Sequence, residues 1–349
     1  MGDEEAEMTA LVTGAGGFLG GAIARLLLAR GDVVRSFSRA DYPDLRAAGI
    51  DVRRGELADP DAVETAVSGV DVVFHVASKA GIWGDEAEYR RTNVDGTAHI
   101  IEACRRQGVR KLVYTSTPSV VFDGGDMEGA DESVPYATHF LAPYPQTKAE
   151  AERLVRAANA SDLATVALRP HLIWGPGDNH LVPRILARAR AGALRRIGRT
   201  DKRVDTVYID DAAQAHLLAA DRLAPGSPIA GKAYFITGGE PVPLWELVNR
   251  ILDAGGLPPV DRTISPGMAY VAGCILETVY RLTGKHGEPR MTRFLARELS
   301  TAHWFDISAA RRDLDYSPSV SIDEGMRRLA RSLRQDHVDK NHAITKGSK

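Results

Sequence analysis

Eight residues near the start, TGAGGFLG (13–20), constrain this chain more than any other stretch. They follow a short apolar run, MTALVT (8–13), and precede FLGGAIARLLLA (18–29), whose spacing fits a helix closed by Gly31. Gly14, Gly17 and Gly20 stand at G-x-x-G-x-x-G spacing. The first suits a tight turn, the second lets backbone approach a pyrophosphate, and the third permits close helix–sheet contact. Phe18 and Leu19 complete the turn, and the helix start offers its N–H groups to an anion. A strand, a glycine turn and a helix in that order open a dinucleotide-binding α/β unit.

The alternation continues. DVVRSFSR (32–39), VDVVFHVA (70–77), VRKLVYTST (109–117) and LATVALRP (163–170) read as strands, with helices near 61–68, 92–108 and 145–159 between them. Strands separated by helices of this length specify a parallel sheet covered on both faces. The expected fold is α/β, a Rossmann-type doubly wound parallel sheet with a smaller, interleaved, mostly helical substrate region. Residues 7–170 form the nucleotide domain, and 204–238 return to it through KAYFITG. Residues 171–203 and 239–335 form the substrate region, and 336–349 read as a polar, disordered tail.

Composition narrows the partners. A formal net charge of −2 recruits neither nucleic acid nor an anionic membrane globally. Cys104 and Cys274 read as reduced, buried thiols, and no Cys/His cluster has metal-site spacing. The acidic start, MGDEEAEM, is not a signal peptide, so a cytoplasmic setting is expected.

The end of the second strand bears on which dinucleotide binds. NAD calls for a carboxylate there to hold the ribose hydroxyls; this chain has Ser38 followed by Arg39. Ser38 adds no repulsion, and Arg39 can meet a 2′-phosphate with parallel donors, which favours NADP(H). Glu56 and Leu57 are expected to flank the adenine. Residues 142–152, APYPQTKAEAE, place Tyr144 and Lys148 at i,i+4 where a helix begins, about 6 Å apart along its axis. An ammonium near a phenol favours the phenolate, so the pair can handle a proton; a surface tyrosine with a solvated lysine is the bland alternative.

TGAGGFLG, HVAS (75–78), YTST (114–117) and YPQTK (144–148) together resemble an extended short-chain dehydrogenase/reductase. RPHLIWGPGDNH, KAYFITGGEPV and HWFDISAARRDLDYSP are similar to the 3β-hydroxysteroid dehydrogenase branch, and the resemblance spans nearly the whole chain. It implies Tyr144 as catalytic acid/base, Lys148 as its partner and Thr117 as the hydroxyl that assists. It also implies that Asn93 shapes the active-site end of its helix. Val76, Ala77, Ser78, Thr115, Arg169 and Pro170 are expected beside the cofactor, with His75 as a wall and not a base.

The implied activity is NADPH-dependent reduction of the 3-oxo group of long-chain 2-alkyl-3-oxo acids, in olefin (hydrocarbon) biosynthesis. Decarboxylating oxidation of sterol 4-carboxylates is the alternative, and an NADP(H)-sensing protein is the non-enzymatic one. Such a substrate needs an apolar channel, for which Trp83, Pro118, Trp174 and Leu181 are candidates. His180, Arg184, Arg290 and Arg293 are candidates for its carboxylate. The apolar stretch 267–282 is too short to span a bilayer and is left as channel roof, peripheral membrane contact or core. The resemblance also admits a homodimer and contact with other enzymes of the olefin pathway.

Overall fold

The computed structural model describes residues 8–285 and 287–346. Residue 7, the expected start of the nucleotide domain, and 347–349 of the expected tail lie outside them. Seven parallel strands form the central sheet: β1 Thr9–Thr13, β2 Val33–Ser38, β3 Asp51–Arg54, β4 Val72–His75, β5 Lys111–Thr115, β6 Ala164–Pro170 and β7 Ala233–Ile236. Their order is β3-β2-β1-β4-β5-β6-β7, with β7 joined to β6 through the register Ala233↔Ala167. Strands such as β4 and β6 are buried along their whole length, because helices cover both faces. The strand order reverses between β1 and β4, and a crevice opens there at the carboxyl ends.

Local chemistry sets the helix ends. Asp59 accepts from the N–H groups of Asp61 and Ala62 at the start of helix Pro60–Val67. Helix Gly96–Gln107 stops at Gly108, which takes the left-handed conformation. Helix Pro143–Ala157 begins with proline in its first turn, where a missing N–H costs nothing, so Tyr144 sits at its mouth.

A buried ion pair fixes that helix to the sheet. Glu152, fully buried, accepts from Arg169 Nε at 3.0 Å and Nη2 at 2.6 Å. It also accepts from Tyr136 Oη at 2.8 Å and from Ser116 Oγ. Burial works to raise the Glu152 pKa, but Arg169, Ser116 and Tyr136 outweigh it and the net shift is down. Arg169, only 2% exposed, therefore does not reach the nucleotide cleft as the sequence suggests. Two of its three guanidinium nitrogens, Nε and Nη2, are held by Glu152.

The second layer is a four-stranded sheet in the order Val242–Pro243, Arg203–Val204, His303–Phe305, Met127–Ala130. Met127–Ala130 comes from the excursion between β5 and helix Pro143–Ala157, a stretch the sequence assigns to the nucleotide domain. Helix Ile322–Lys346 continues through most of the stretch expected as a disordered tail.

Residues 267–282 belong to helix Pro266–Thr283. Among the described residues, no helix is long and apolar enough to cross a membrane. Ala269, Gly273 and Glu277 face inward, and a Cβ at Gly273 would lie 2.6 Å from the backbone of Thr292. Glu277 accepts from the N–H and Nε of Arg293 at 2.7 and 2.8 Å, which commits Arg293 to a structural pair and not to a substrate carboxylate. The opposite face is open to solvent, with Met268, Val271, Ile275, Val279 and Leu282 between 41% and 84% exposed.

Candidate active site

The crevice holds a cleft of about 640 Å³. Gly14, Gly17, Phe18, Leu19 and Gly20 line its floor. A Cβ at Gly20 would come within 2.3 Å of the Gly14 carbonyl, so this helix start can meet the turn only as glycine. Gly16 lies under the Tyr42 ring, which a Cβ there would meet at 2.1 Å and have to displace. The glycine spacing does not mark this contact, since Tyr42 arrives from beyond β2.

Ser38, Arg39, Glu56 and Leu57 line one end of the cleft, Val76, Ala77 and Ser78 its middle, and Thr115 and Pro170 the far side. Arg91, which sequence reasoning missed, joins Arg39 at the first end and lies 4.0 Å from Glu56. It opens a wide π-type turn, Arg91–Asp95, a local departure often found at functional sites. Inside that turn Asn93 donates to Thr147 Oγ1 and to the Lys79 carbonyl, both at 3.1 Å, and accepts from the Lys79 N–H at 2.7 Å. Asn93 thus ties the loop after β4 to the Tyr144 helix.

His75 is fully occupied. Thr13 Oγ1 accepts from the N–H groups of Val76 and Ala77, so its proton goes to His75 Nδ1 at 2.9 Å. Thr97 in turn donates to the Asn93 carbonyl, which leaves its oxygen to accept from His75 Nε2 at 3.0 Å. Burial, reinforced by Lys148, pushes the His75 pKa down to about 3. A neutral ring with both nitrogens engaged is a wall.

Three successive hydroxyls end β5, and their partners distinguish them. Thr115 Oγ1 lies 2.9 Å from His216 Nε2, and Ser116 Oγ is held by Glu152. Thr117 Oγ1 lies 3.1 Å from Ser119 Oγ and faces the cleft beside Tyr144. Burial pushes the Tyr144 phenol up to about 12, with the Thr117 hydroxyl pulling the other way.

Lys148 is buried, its Nζ 2.6 Å from the Thr115 carbonyl and 4.1 Å from the centre of the Tyr114 ring. Burial pushes its pKa down to about 7 against the pull of Glu152. The sequence suggests an ammonium that lowers the Tyr144 pKa; here it faces a carbonyl and a neighbouring ring.

Behind Tyr144 lies a second cavity of about 360 Å³. Ile82, Phe122, Ile185, Leu247, Phe294 and Leu295 supply apolar walls, with Pro118 and Leu181 among the lining as expected. Helix Arg293–Glu298 roofs it, and helix Pro266–Thr283 contributes no lining residue. Thr117, Tyr144 and His180 border both cleft and cavity, and Arg184 borders the cavity. Trp174 does not: it is 1% exposed, donates to Thr206 Oγ1 at 2.9 Å and packs edge-on against Tyr208. Trp83 stands outside the cavity against Tyr280 and Arg281, and Arg290 is exposed elsewhere. Arg188 and Glu298 line the cavity without any local sequence signal.

A profile of the 3-beta hydroxysteroid dehydrogenase/isomerase family matches residues 11–265. The chain belongs to this family of oxidoreductases. A 2-alkyl-3-oxoalkanoate reductase of Shewanella oneidensis is 54% identical over 93% of this chain and 86% of its own length. That of Stenotrophomonas maltophilia is 55% identical over 93% and 99%. Among solved structures, MoeE5 in complex with UDP-glucose and NAD superposes with a TM-score of 0.72 at 25% identity, covering 94% of this chain and 99% of that one. In this family member the glycine turn, the open helix start and the cations Arg39 and Arg91 lining the cleft fit a dinucleotide.

The depressed Lys148 pKa has a sign that can be checked. Between about 7 and the ordinary 10.5 the unfolded chain binds more protons than the folded one, so Lys148's contribution to stability improves as pH rises through that window. Below it, folding carries the full cost of burying a charge. Lys148→Met is therefore expected to raise Tm relative to wild type more at pH 6.5 than at pH 9.5 in thermal denaturation; equal differences would refute the burial argument.

Proposed function

We propose that this chain uses NADPH to reduce the 3-oxo group of 2-alkyl-3-oxoalkanoates to the 3-hydroxy acid. One observation carries the reading: Tyr144 and Thr117 stand where a dinucleotide cleft meets an apolar cavity. When bound, the cofactor supplies a hydride. Tyr144, kept protonated by burial, donates a proton to the carbonyl oxygen, and Thr117 gives that oxygen a second hydrogen bond. Lys148 and Asn93 hold the helix mouth and the loop facing it in register. Sterol oxidation would use the same side chains; identity above 50% to two reductases favours reduction.

NADPH is favoured over NADH because Arg39 and Arg91 both line the cleft where Ser38 stands in place of a carboxylate. A doubly alkylated substrate also makes a lipid surface the natural source. The exposed stripe of helix Pro266–Thr283 suits it, because Arg281 and Lys285 at its end are exposed cations while its one acid, Glu277, is turned inward.

Tyr144→Phe is expected to keep NADPH affinity within about twofold and to lower turnover ~100-fold or more. Absorbance at 340 nm with product mass reads both, and unchanged turnover sinks the assigned acid. Arg39→Ala should weaken NADPH about tenfold or more and NADH little, by fluorescence titration; equal losses refute the phosphate role. The protein should sediment with vesicles of mixed anionic and neutral phosphatidyl lipids, and Ile275→Asp with Leu282→Asp should abolish this. Self-association through the stripe, seen by light scattering without vesicle binding, would sink the lipid reading.

A further inference from the structure

The apolar cavity has one charged pole. Helix Leu181–Arg190 presents Arg184 and Arg188, one turn apart, and both turn to a single carboxylate, Glu288, at 3.0 and 4.0 Å. Among the described residues Glu288 is the one carboxylate in salt-bridge contact with them, so two guanidiniums share one counter-charge there. Glu298, the last residue of its helix, lines the same cavity. Among the described residues its carboxyl makes no hydrogen bond. Burial pushes its pKa up, against the pull of His171 and Arg184.

A hydrogen-bonded chain runs behind Glu298. Fully buried Asp205 accepts from the Phe305 N–H at 2.8 Å and lies 2.7 Å from His171 Nδ1. His171 Nε2 lies 3.2 Å from His303 Nδ1, and His303 Nε2 lies 2.9 Å from the Glu298 carbonyl. A carbonyl only accepts, so the proton of neutral His303 sits on Nε2 and its Nδ1 accepts from His171. His171 Nε2 then faces His303 as a donor, and its Nδ1 faces the Asp205 carboxylate. Every nitrogen of the two rings is committed, so they touch no ligand through a free donor. What the chain does is hold the backbone at Glu298.

We propose that Arg184, Arg188 and Glu298 form a receptor for the carboxylate of the acyl substrate, with Glu298 meeting it as a carboxylic acid that donates a hydrogen bond. Asp205, His171 and His303 are positioning residues for Glu298. The proposal rests on the acidic-substrate reading above and deepens it.

Charge fixes the consequence. In the proposed receptor Glu298 serves as the second counter-charge to the two guanidiniums in the free site, the pull of His171 and Arg184 opposing burial. When a ligand carboxylate takes over that balance, Glu298 must gain a proton, because two carboxylates at hydrogen-bond distance cannot both stay ionised. The other titratable groups around the pole do not supply it. His303 is neutral, burial and neighbouring His171 pushing it down to about 3, and Tyr144 stays protonated. Both nitrogens of His171 are engaged by Asp205 and His303, and the arginines keep their protons. His180 borders the cavity from the start of the arginine helix, so the test carries a His180→Asn control.

The probes are 2-butyl-3-hydroxyoctanoate, a stable product-like acid, and its methyl ester, titrated calorimetrically into the protein with oxidised cofactor. Buffers of different ionisation enthalpy count protons. The acid is expected to bind with uptake of about one proton, and the ester with none. Glu298→Gln should abolish the uptake while keeping acid affinity within about threefold, because the amide still donates. Glu298→Leu and Arg188→Met should each weaken the acid about tenfold or more and leave the ester within about twofold. His180→Asn should leave the uptake in place.

Binding of the acid without proton uptake, uptake that survives in Glu298→Gln, or equal losses for acid and ester would overturn the receptor. So would failure of the acid to bind. Proton-coupled binding without any reduction of the corresponding 3-oxo acid would overturn the reductase reading and leave the receptor standing.

Discussion

The architecture of the site depends on one carboxylate in the protein interior. Glu152 gathers Arg169 from β6, Ser116 from the end of β5, and Tyr136 from the excursion beyond it, all onto the helix that carries Tyr144 and Lys148. Removing a partner from such a pair leaves an uncompensated charge at a cost of about 3–5 kcal/mol. An apolar replacement would pack the helix as well but would not fix its rotation or its register along the strand. The phenol and the Thr117 hydroxyl reach the same opening because the residue before Thr117 and the residue eight after Tyr144 share this anchor.

Hydrogen-bond direction, more than proximity, separates working side chains from structural ones. His75 and His216 are buried beside the nucleotide cleft, and both fall below the usual histidine range through desolvation, His75 to about 3 and His216 to about 4. Each has both nitrogens engaged by protein groups. Thr115 and Ser116 are likewise turned inward. Thr117 and Tyr144 instead border both the cleft and the apolar cavity.

What the sequence reveals follows from the range of the forces involved. The glycine turn, the parallel strands and the Tyr144–Lys148 spacing are local demands of backbone and helix geometry, so they are written in adjacent residues. Arg39 is readable for the same reason, since it ends a strand whose neighbours are fixed. Arg91, Arg188 and Glu298 are not, because their meaning comes from elements that meet only after folding. Trp174 misleads because a tryptophan after a turn-rich run suggests a lining, whereas its ring fills the core and its N–H is satisfied by Thr206. Arg169 misleads because a strand-end arginine beside a cleft can equally point behind it. Met127–Ala130 reads MEGA, which carries no strand alternation, and becomes a strand only through its partner His303–Phe305.

That last strand has an evolutionary corollary. The small sheet takes its four members from both sides of the nucleotide core's last two strands, so no single cut of the chain separates substrate recognition from the Rossmann unit. A chimera made by exchanging the carboxyl-terminal half would tear one strand from its neighbour. A change of specificity that keeps this sheet whole is one made within the intact chain, at side chains lining the cavity.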